Sequence, residues 1–147
     1  MIRLKSLLFE QQGTYTLYVD MGGVLFKKMS ADAGGSGNTI EFIGNELWNA
    51  IKKYDPIILS ATGAKNKESK QQIKTDQVKK YLQPTPSIKF VESGVDKKTY
   101  ANDHAILIDD SKENIDAWES KNGIGILYNN NLQTVINTLK KYFDLEN

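Results

Sequence analysis

Three acidic residues stand where apolar runs stop. Asp20 follows the run at residues 15–19, and Asp109 and Asp110 follow the run at 105–108. Short continuous apolar runs are the pattern of strands buried on both faces of a sheet. A carboxylate at the end of such a strand faces the crevice at the carboxyl edge of a parallel sheet, where ligands bind. If the first and fourth strands are neighbours, the three carboxylates converge. Converged carboxylates repel, and a hard divalent cation relieves the repulsion. Magnesium suits the task, because it takes one or two carboxylates, keeps waters and bridges to a phosphate. A lone strand-end aspartate more often just caps a turn. Two such sites, one of them a doubled Asp-Asp, favour metal binding.

The elements that must position these acids alternate in type. Strands are expected at 15–19, 57–59 (ending at Ser60), 88–91, 105–108 and 124–128. Helices are expected at 40–54, 66–82, 111–120 and 131–143, with Ser111 as an N-cap. Alternation of this kind implies an α/β fold with helices on both faces of the sheet. The expectation is a Rossmann-like three-layer sandwich around a mostly parallel five-stranded sheet, in a single domain over 1–147. Residues 1–12 read as an N-terminal arm or short helix. Residues 27–39 include the Gly-rich stretch 33–38 and read as a flexible loop. That stretch lacks the spacing of a phosphate-cradling glycine loop.

Composition narrows the function classes. A net charge of +1 provides no global field toward nucleic acid or membrane. The absence of cysteine excludes disulfides, thiolate metal sites and cysteine nucleophiles. It is compatible with a cytoplasmic location. No apolar stretch is long enough to span a bilayer, so no membrane partner is expected.

With these residues in place, the chain resembles the haloacid dehalogenase-like (HAD) hydrolase superfamily. The stretch from Leu17 to Leu25, LYVDMGGVL, is similar to its first motif, a strand followed by D-x-D-G-x-L. Pro56 to Ser60, PIILS, resembles the second, and Lys97 or Lys98 falls where the third supplies a lysine. Ile106 to Asn114, ILIDDSKEN, resembles the fourth. The region from Lys98 to Leu127 is similar to the 5'(3')-deoxyribonucleotidase-like branch.

The resemblance implies a magnesium-dependent phosphohydrolase with a minimal or absent cap. Asp20 would be the nucleophile, forming an aspartyl-phosphate. Ser60 and Lys98, the latter preferred over Lys97, would complete the catalytic set. Ser60, Ala61, Lys98 and Gly23 would contact phosphate. Asp20, Asp109, Asp110 and the carbonyl of Gly22 would hold Mg2+, and Asn114 would support the acidic loop. Thr62 competes with Ser60 for its role.

One position departs from the pattern. Family phosphatases carry an aspartate two residues after the nucleophile, and here that residue is Gly22. General acid–base help is worth about 10²–10⁴-fold in rate. Three readings follow: an impaired phosphohydrolase, a phosphotransferase, or a weak or inactive phosphate-binding module. An open site would admit a small phosphomonoester such as a nucleotide, or a phosphate at a nucleic-acid terminus. Oligomeric state is not legible.

Two further features read as surface. Residues 61–80 hold six lysines against two acids, which suggests a solvated helix face more than a steering surface. His104, the one histidine, reads as a surface turn residue.

Overall fold

The computed structural model describes residues 14–28 and 40–143. The expected arm at 1–12 and the glycine-rich stretch at 33–38 lie outside the described residues.

Five strands form one parallel sheet in the order β3-β2-β1-β4-β5. They are β1 (Thr16–Val19), β2 (Ile57–Ala61), β3 (Ile88–Val91), β4 (Ala105–Asp109) and β5 (Ile124–Leu127). The strand order turns back at β1: β2 and β3 extend to one side, β4 and β5 to the other. That reversal opens a crevice at the carboxyl edge between β1 and its neighbours.

Alternate residues of each strand serve two separate cores. Leu17, Val19, Ile58, Ile106, Ile108 and Ile126 face one side. There they meet α1 (Asn45–Ile51), α2 (Lys67–Tyr81) and α4 (Leu132–Phe143). The helices contribute Leu47, Trp48 and Ile51, then Val78, then Val135 and Leu139. Tyr18, Leu59 and Leu107 face the other side. Ile115 and Trp118 of α3 (Lys112–Glu119) cover them. A 3₁₀ segment (Gly94–Tyr100) leads from β3 toward β4 on that side. The three-layer α/β expectation is met, and every strand pair is parallel.

The helix expected at 40–54 begins later, at Asn45. Residues 41–44 are committed to the loop after β1. Lys27 N donates to Glu41 O, while Ile43 N and Gly44 N both donate to Leu25 O. Those bonds consume backbone groups that a first helical turn would need. Among the described residues, no helix is long and apolar enough to cross a membrane.

Candidate metal centre

The sheet itself brings the acids together. Val19 of β1 stands in register with Ile108 of β4. The next residue on each strand, Asp20 and Asp109, is therefore carried to the same edge. Asp20 N donates to Ile108 O at 2.9 Å, which holds the chain in line as it leaves the strand. One carboxylate oxygen each from Asp20, Asp109 and Asp110 lies within 4.8 Å of the other two. Asp109 is fully buried, Asp20 nearly so, and Asp110 half-buried.

Lys97 lies between the two buried acids. Its Nζ donates to Asp20 Oδ1 and to Asp109 Oδ2, each at 2.8 Å. The sequence reading preferred Lys98; the structure places Lys97 in this position instead. The 3₁₀ segment has about three residues per turn, so adjacent side chains point in widely different directions. Once Lys97 points inward, Lys98 cannot follow, and it makes no ion pair with either acid among the described residues. The turn is set by Ser93 N donating to Asp96 Oδ2 at 3.1 Å.

The α3 N-terminus supports Asp109. Ser111 N donates to Asp109 Oδ1 at 3.0 Å, and Asn114 Nδ2 donates to Oδ2 at 3.2 Å. Ser111 caps the helix, its Oγ accepting from Asn114 N at 3.3 Å. Asn114 reaches the acid across Gly94. A Cβ built there would fall 2.5 Å from Asn114 Oδ1, so only glycine leaves the amide room. Gly94 was not singled out from sequence, where nothing marked it as a neighbour of Asn114.

The loop after Asp20 is a tight turn. Val24 N, Leu25 N and Phe26 N all donate to Met21 O. Gly23 N donates to Phe26 O at 2.7 Å. That amide belongs to the turn, whereas the sequence reading gave Gly23 a phosphate contact. Gly23 has φ of +84°, and a Cβ there would collide with the Asp110 carboxylate. Its part is to let Asp110 close on the cluster. Asp110 also pairs with Lys28 Nζ at 3.2 Å.

Ser60, at the end of β2, is buried and lines the same cleft as Asp20. Its Oγ accepts from Lys74 Nζ at 2.6 Å, and Ala61 O accepts from the same ammonium at 2.8 Å. Thr62, the rival hydroxyl, is turned to backbone: Thr62 Oγ1 donates to Gly63 O at 2.9 Å. Lys70 Nζ donates to Thr62 O at 3.2 Å. The sequence reading assigned the lysines of 61–80 to a solvated face; Lys70 and Lys74 are in fact 7% exposed. They lie on the row 70–74–78–82, spaced by four, which runs along the inner side of α2 and into the core at Val78 and Leu82. The helix starts at the carboxyl edge, so the first two positions of that row face a polar cleft.

The cleft has a volume of about 490 Å³. Burial pushes the Asp20 carboxyl up to about 7; Lys97 opposes this, and Asp109 and Asp110 add to it. Burial pushes the Lys74 ammonium down to about 8, with Asp20 acting against that shift. Burial also disfavours the Lys97 ammonium, but Asp20 and Asp109 outweigh it and the net direction is up. The site is a crowded acid cluster neutralised in part by the buried Lys97.

The sequence matches no known protein family, and it matches no curated protein. Among solved structures, it is similar to an uncharacterized protein from Corynebacterium glutamicum. The identity is 19% and the TM-score 0.48, over 88% of this chain and 96% of that one.

Asp20, Asp109 and Asp110 all offer hard carboxylate oxygens, which suit magnesium, calcium or manganese rather than a soft ion. Burial is the main cause of the raised Asp20 carboxyl, with Asp109 and Asp110 adding to it, and a bound cation would favour its ionised form. The residues fit a divalent cation. Gly22 lines the same cleft as Asp20 and Asp110.

Proposed function

We propose that this protein is a magnesium-dependent phosphohydrolase of the HAD type, acting on a phosphomonoester through Asp20 and slowed by glycine at position 22. The observation that carries the reading is the Lys97 bridge between Asp20 and Asp109, with Asp110 and Ser60 on the same cleft. On this reading Asp20 as nucleophile, Lys97 as its charge partner and Ser60 as a hydroxyl donor would surround one open space.

In this reading Asp20, Asp109 and Asp110 would hold the cation, which would neutralise phosphoryl charge. An Asp20 oxygen attacks phosphorus, and the bond from phosphorus to the leaving oxygen breaks. The result is an aspartyl-phosphate on Asp20. Water then attacks that phosphorus, releasing phosphate and restoring the carboxylate. Lys97 keeps Asp20 oriented and stabilises its ionised form. Ser60 accepts a hydrogen bond from Lys74, so its own hydroxyl hydrogen is free to meet a phosphoryl oxygen. Position 22 offers no proton for the leaving group, and none to take from water. A catalytically weak phosphate-binding module is the second reading, favoured by Gly22 itself.

The test is hydrolysis of an aryl phosphate and of nucleoside monophosphates with magnesium, for the chain as it stands, Gly22→Asp and Asp20→Asn. The three atoms nearest a Cβ at Gly22 would be Lys28 carbons, at 3.5 to 4.0 Å, so a Cβ meets ordinary contact there. We expect Gly22→Asp to gain about 10²-fold or more, with Asp20→Asn inactive. If all three are silent, the binding module replaces the enzyme.

A further inference from the structure

The acid–base chemistry that position 22 lacks has one built candidate in the cleft. Among the described residues that line it, none is glutamate, histidine or tyrosine, and its two aspartates, 20 and 110, belong to the acid cluster. Proton transfer there falls to lysines and hydroxyls. Lys97 is locked between Asp20 and Asp109, which hold it charged. Lys28 is paired with Asp110 and largely exposed. Lys70 Nζ donates to Thr62 O, and Thr62 Oγ1 donates to Gly63 O. Ser111 Oγ serves as the cap of α3.

Ser60 and Lys74 differ from all of these. Lys74 Nζ lies 2.6 Å from Ser60 Oγ, and the two residues are 7% and 1% exposed. Both printed acceptors of the ammonium, Ser60 Oγ and Ala61 O, are neutral oxygens. With no carboxylate in hydrogen-bond contact, burial makes this ammonium ready to give up a proton. Asp20 opposes that tendency, and Lys97 and Lys70 add to it. The bond runs from Lys74 to Ser60, so the hydroxyl hydrogen is left for the cleft.

We propose that Ser60 and Lys74 form a proton relay that serves the leaving group and the attacking water in place of an acid at position 22. The proposal rests on the phosphohydrolase reading above. Asp20 attacks phosphorus, and the bond to the leaving oxygen breaks. In the same step Ser60 gives its hydroxyl hydrogen to that oxygen and takes one from Lys74 Nζ. The alcohol departs neutral, and Lys74 is left as an amine. When water attacks the aspartyl-phosphate, its proton passes to Ser60 Oγ, and the Ser60 hydrogen returns to Lys74 Nζ. Ammonium, hydroxyl and carboxylate are restored, and the products are an alcohol and inorganic phosphate. The substrate class served is an alkyl phosphomonoester, whose alkoxide leaves poorly without a proton.

The experiment compares kcat/KM for an alkyl phosphate and an aryl phosphate, with magnesium, in the unaltered protein and Lys74→Arg. Arginine keeps the charge and the hydrogen-bond donors but does not give up a proton. Lys74→Arg should lose about 10²-fold or more on the alkyl phosphate, and far less on the aryl phosphate, whose leaving group departs without a proton. In the unaltered protein kcat/KM for the alkyl phosphate should fall above a pH of about 8, where Lys74 loses its proton. That limb should vanish in Lys74→Arg. Equal losses on the two substrates overturn the relay and leave the phosphohydrolase standing. No turnover of either substrate by the unaltered protein removes the reading, and the relay with it. Melting curves show whether Lys74→Arg is folded. NMR titration of the Lys74 side chain in the unaltered protein needs no variant. Loss of its proton near 8 supports the relay. A side chain that stays charged up to the ordinary lysine value of 10.5 overturns it, even in an active protein.

Discussion

Lys74 Nζ lies 2.6 Å from Ser60 Oγ, and both groups are buried at the edge of the cleft that holds Asp20. The ammonium has no lone pair to offer in its charged form, so it must donate and the hydroxyl must accept. The Ser60 hydrogen is thereby aimed elsewhere, toward whatever occupies the cleft.

That relationship predicts non-additive kinetics. Ser60→Ala and Lys74→Met should each lower kcat/KM for an aryl phosphate by about 10²-fold, the usual cost of one lost oxyanion donor. The double variant should lose much less than the product of the two losses. Steady-state rates for the four proteins complete the cycle. Full additivity would mean that Lys74 does not act through Ser60.

Lys97 holds together two acids that otherwise repel. Replacing it with methionine leaves Asp20 and Asp109 buried without their shared cation. Breaking a buried ion pair from one side costs about 3–5 kcal/mol. The metal-free variant should melt well below the unaltered protein. Magnesium should raise the melting temperature of Lys97→Met, because binding to the folded state alone is stabilising. Calorimetric melts with and without magnesium check both halves.

The raised Asp20 carboxyl has a pH signature. Native Asp20 keeps its proton up to about 7, whereas the unfolded chain gives it up near the ordinary 3.8. Between those values the native state binds more protons, so this contribution to metal-free stability falls as pH rises. Magnesium must displace that proton, so its affinity should drop by up to about tenfold per pH unit below 7. Titration calorimetry at several pH values, in buffers of different ionisation enthalpy, reads affinity and proton release together. A pH-independent affinity would show that Asp20 is not a ligand.

Gly94 predicts a loss at a distance from any ligand. Gly94→Ala drives a methyl group into the Asn114 amide that steadies Asp109. A side chain that hydrogen-bonds and orients a metal ligand is worth about 10- to 100-fold in metal affinity. Magnesium binding should weaken on that scale, and Asn114→Ala should weaken it similarly without adding to the Gly94→Ala effect.

The acids were legible in the sequence because each ends an apolar run, and the sheet register does the rest. β3 was readable to the residue, since 88–91 alone carries apolar character between polar loops. Other features depended on geometry that sequence does not carry. Lys97 and Lys98 are chemically identical neighbours in a polar loop, and only the winding of a 3₁₀ segment separates them. The start of α1 was misplaced because residues 41–44 bond to the loop at Leu25 and Lys27, a long-range pairing invisible to helical periodicity. Lys70 and Lys74 did have a signal, their spacing of four with Val78 and Leu82. Lysine in a helix ordinarily marks the wet side, so these two lysines read as part of a solvated face although Val78 and Leu82 read as apolar. The separation of one turn was present; the polarity of the cleft that inverts its meaning was not.

The open space beside Gly22 gives this site a short mutational distance to a different chemistry. Two of the four glycine codons are one base from an aspartate codon, and the three atoms nearest an added Cβ there would be carbons of Lys28. A Cβ at position 22 meets only ordinary van der Waals distances to its nearest neighbours, so close packing at that atom does not require glycine. On the phosphohydrolase reading, the residue kept there follows the leaving group to be handled, and a single substitution would follow a change of substrate with the scaffold untouched.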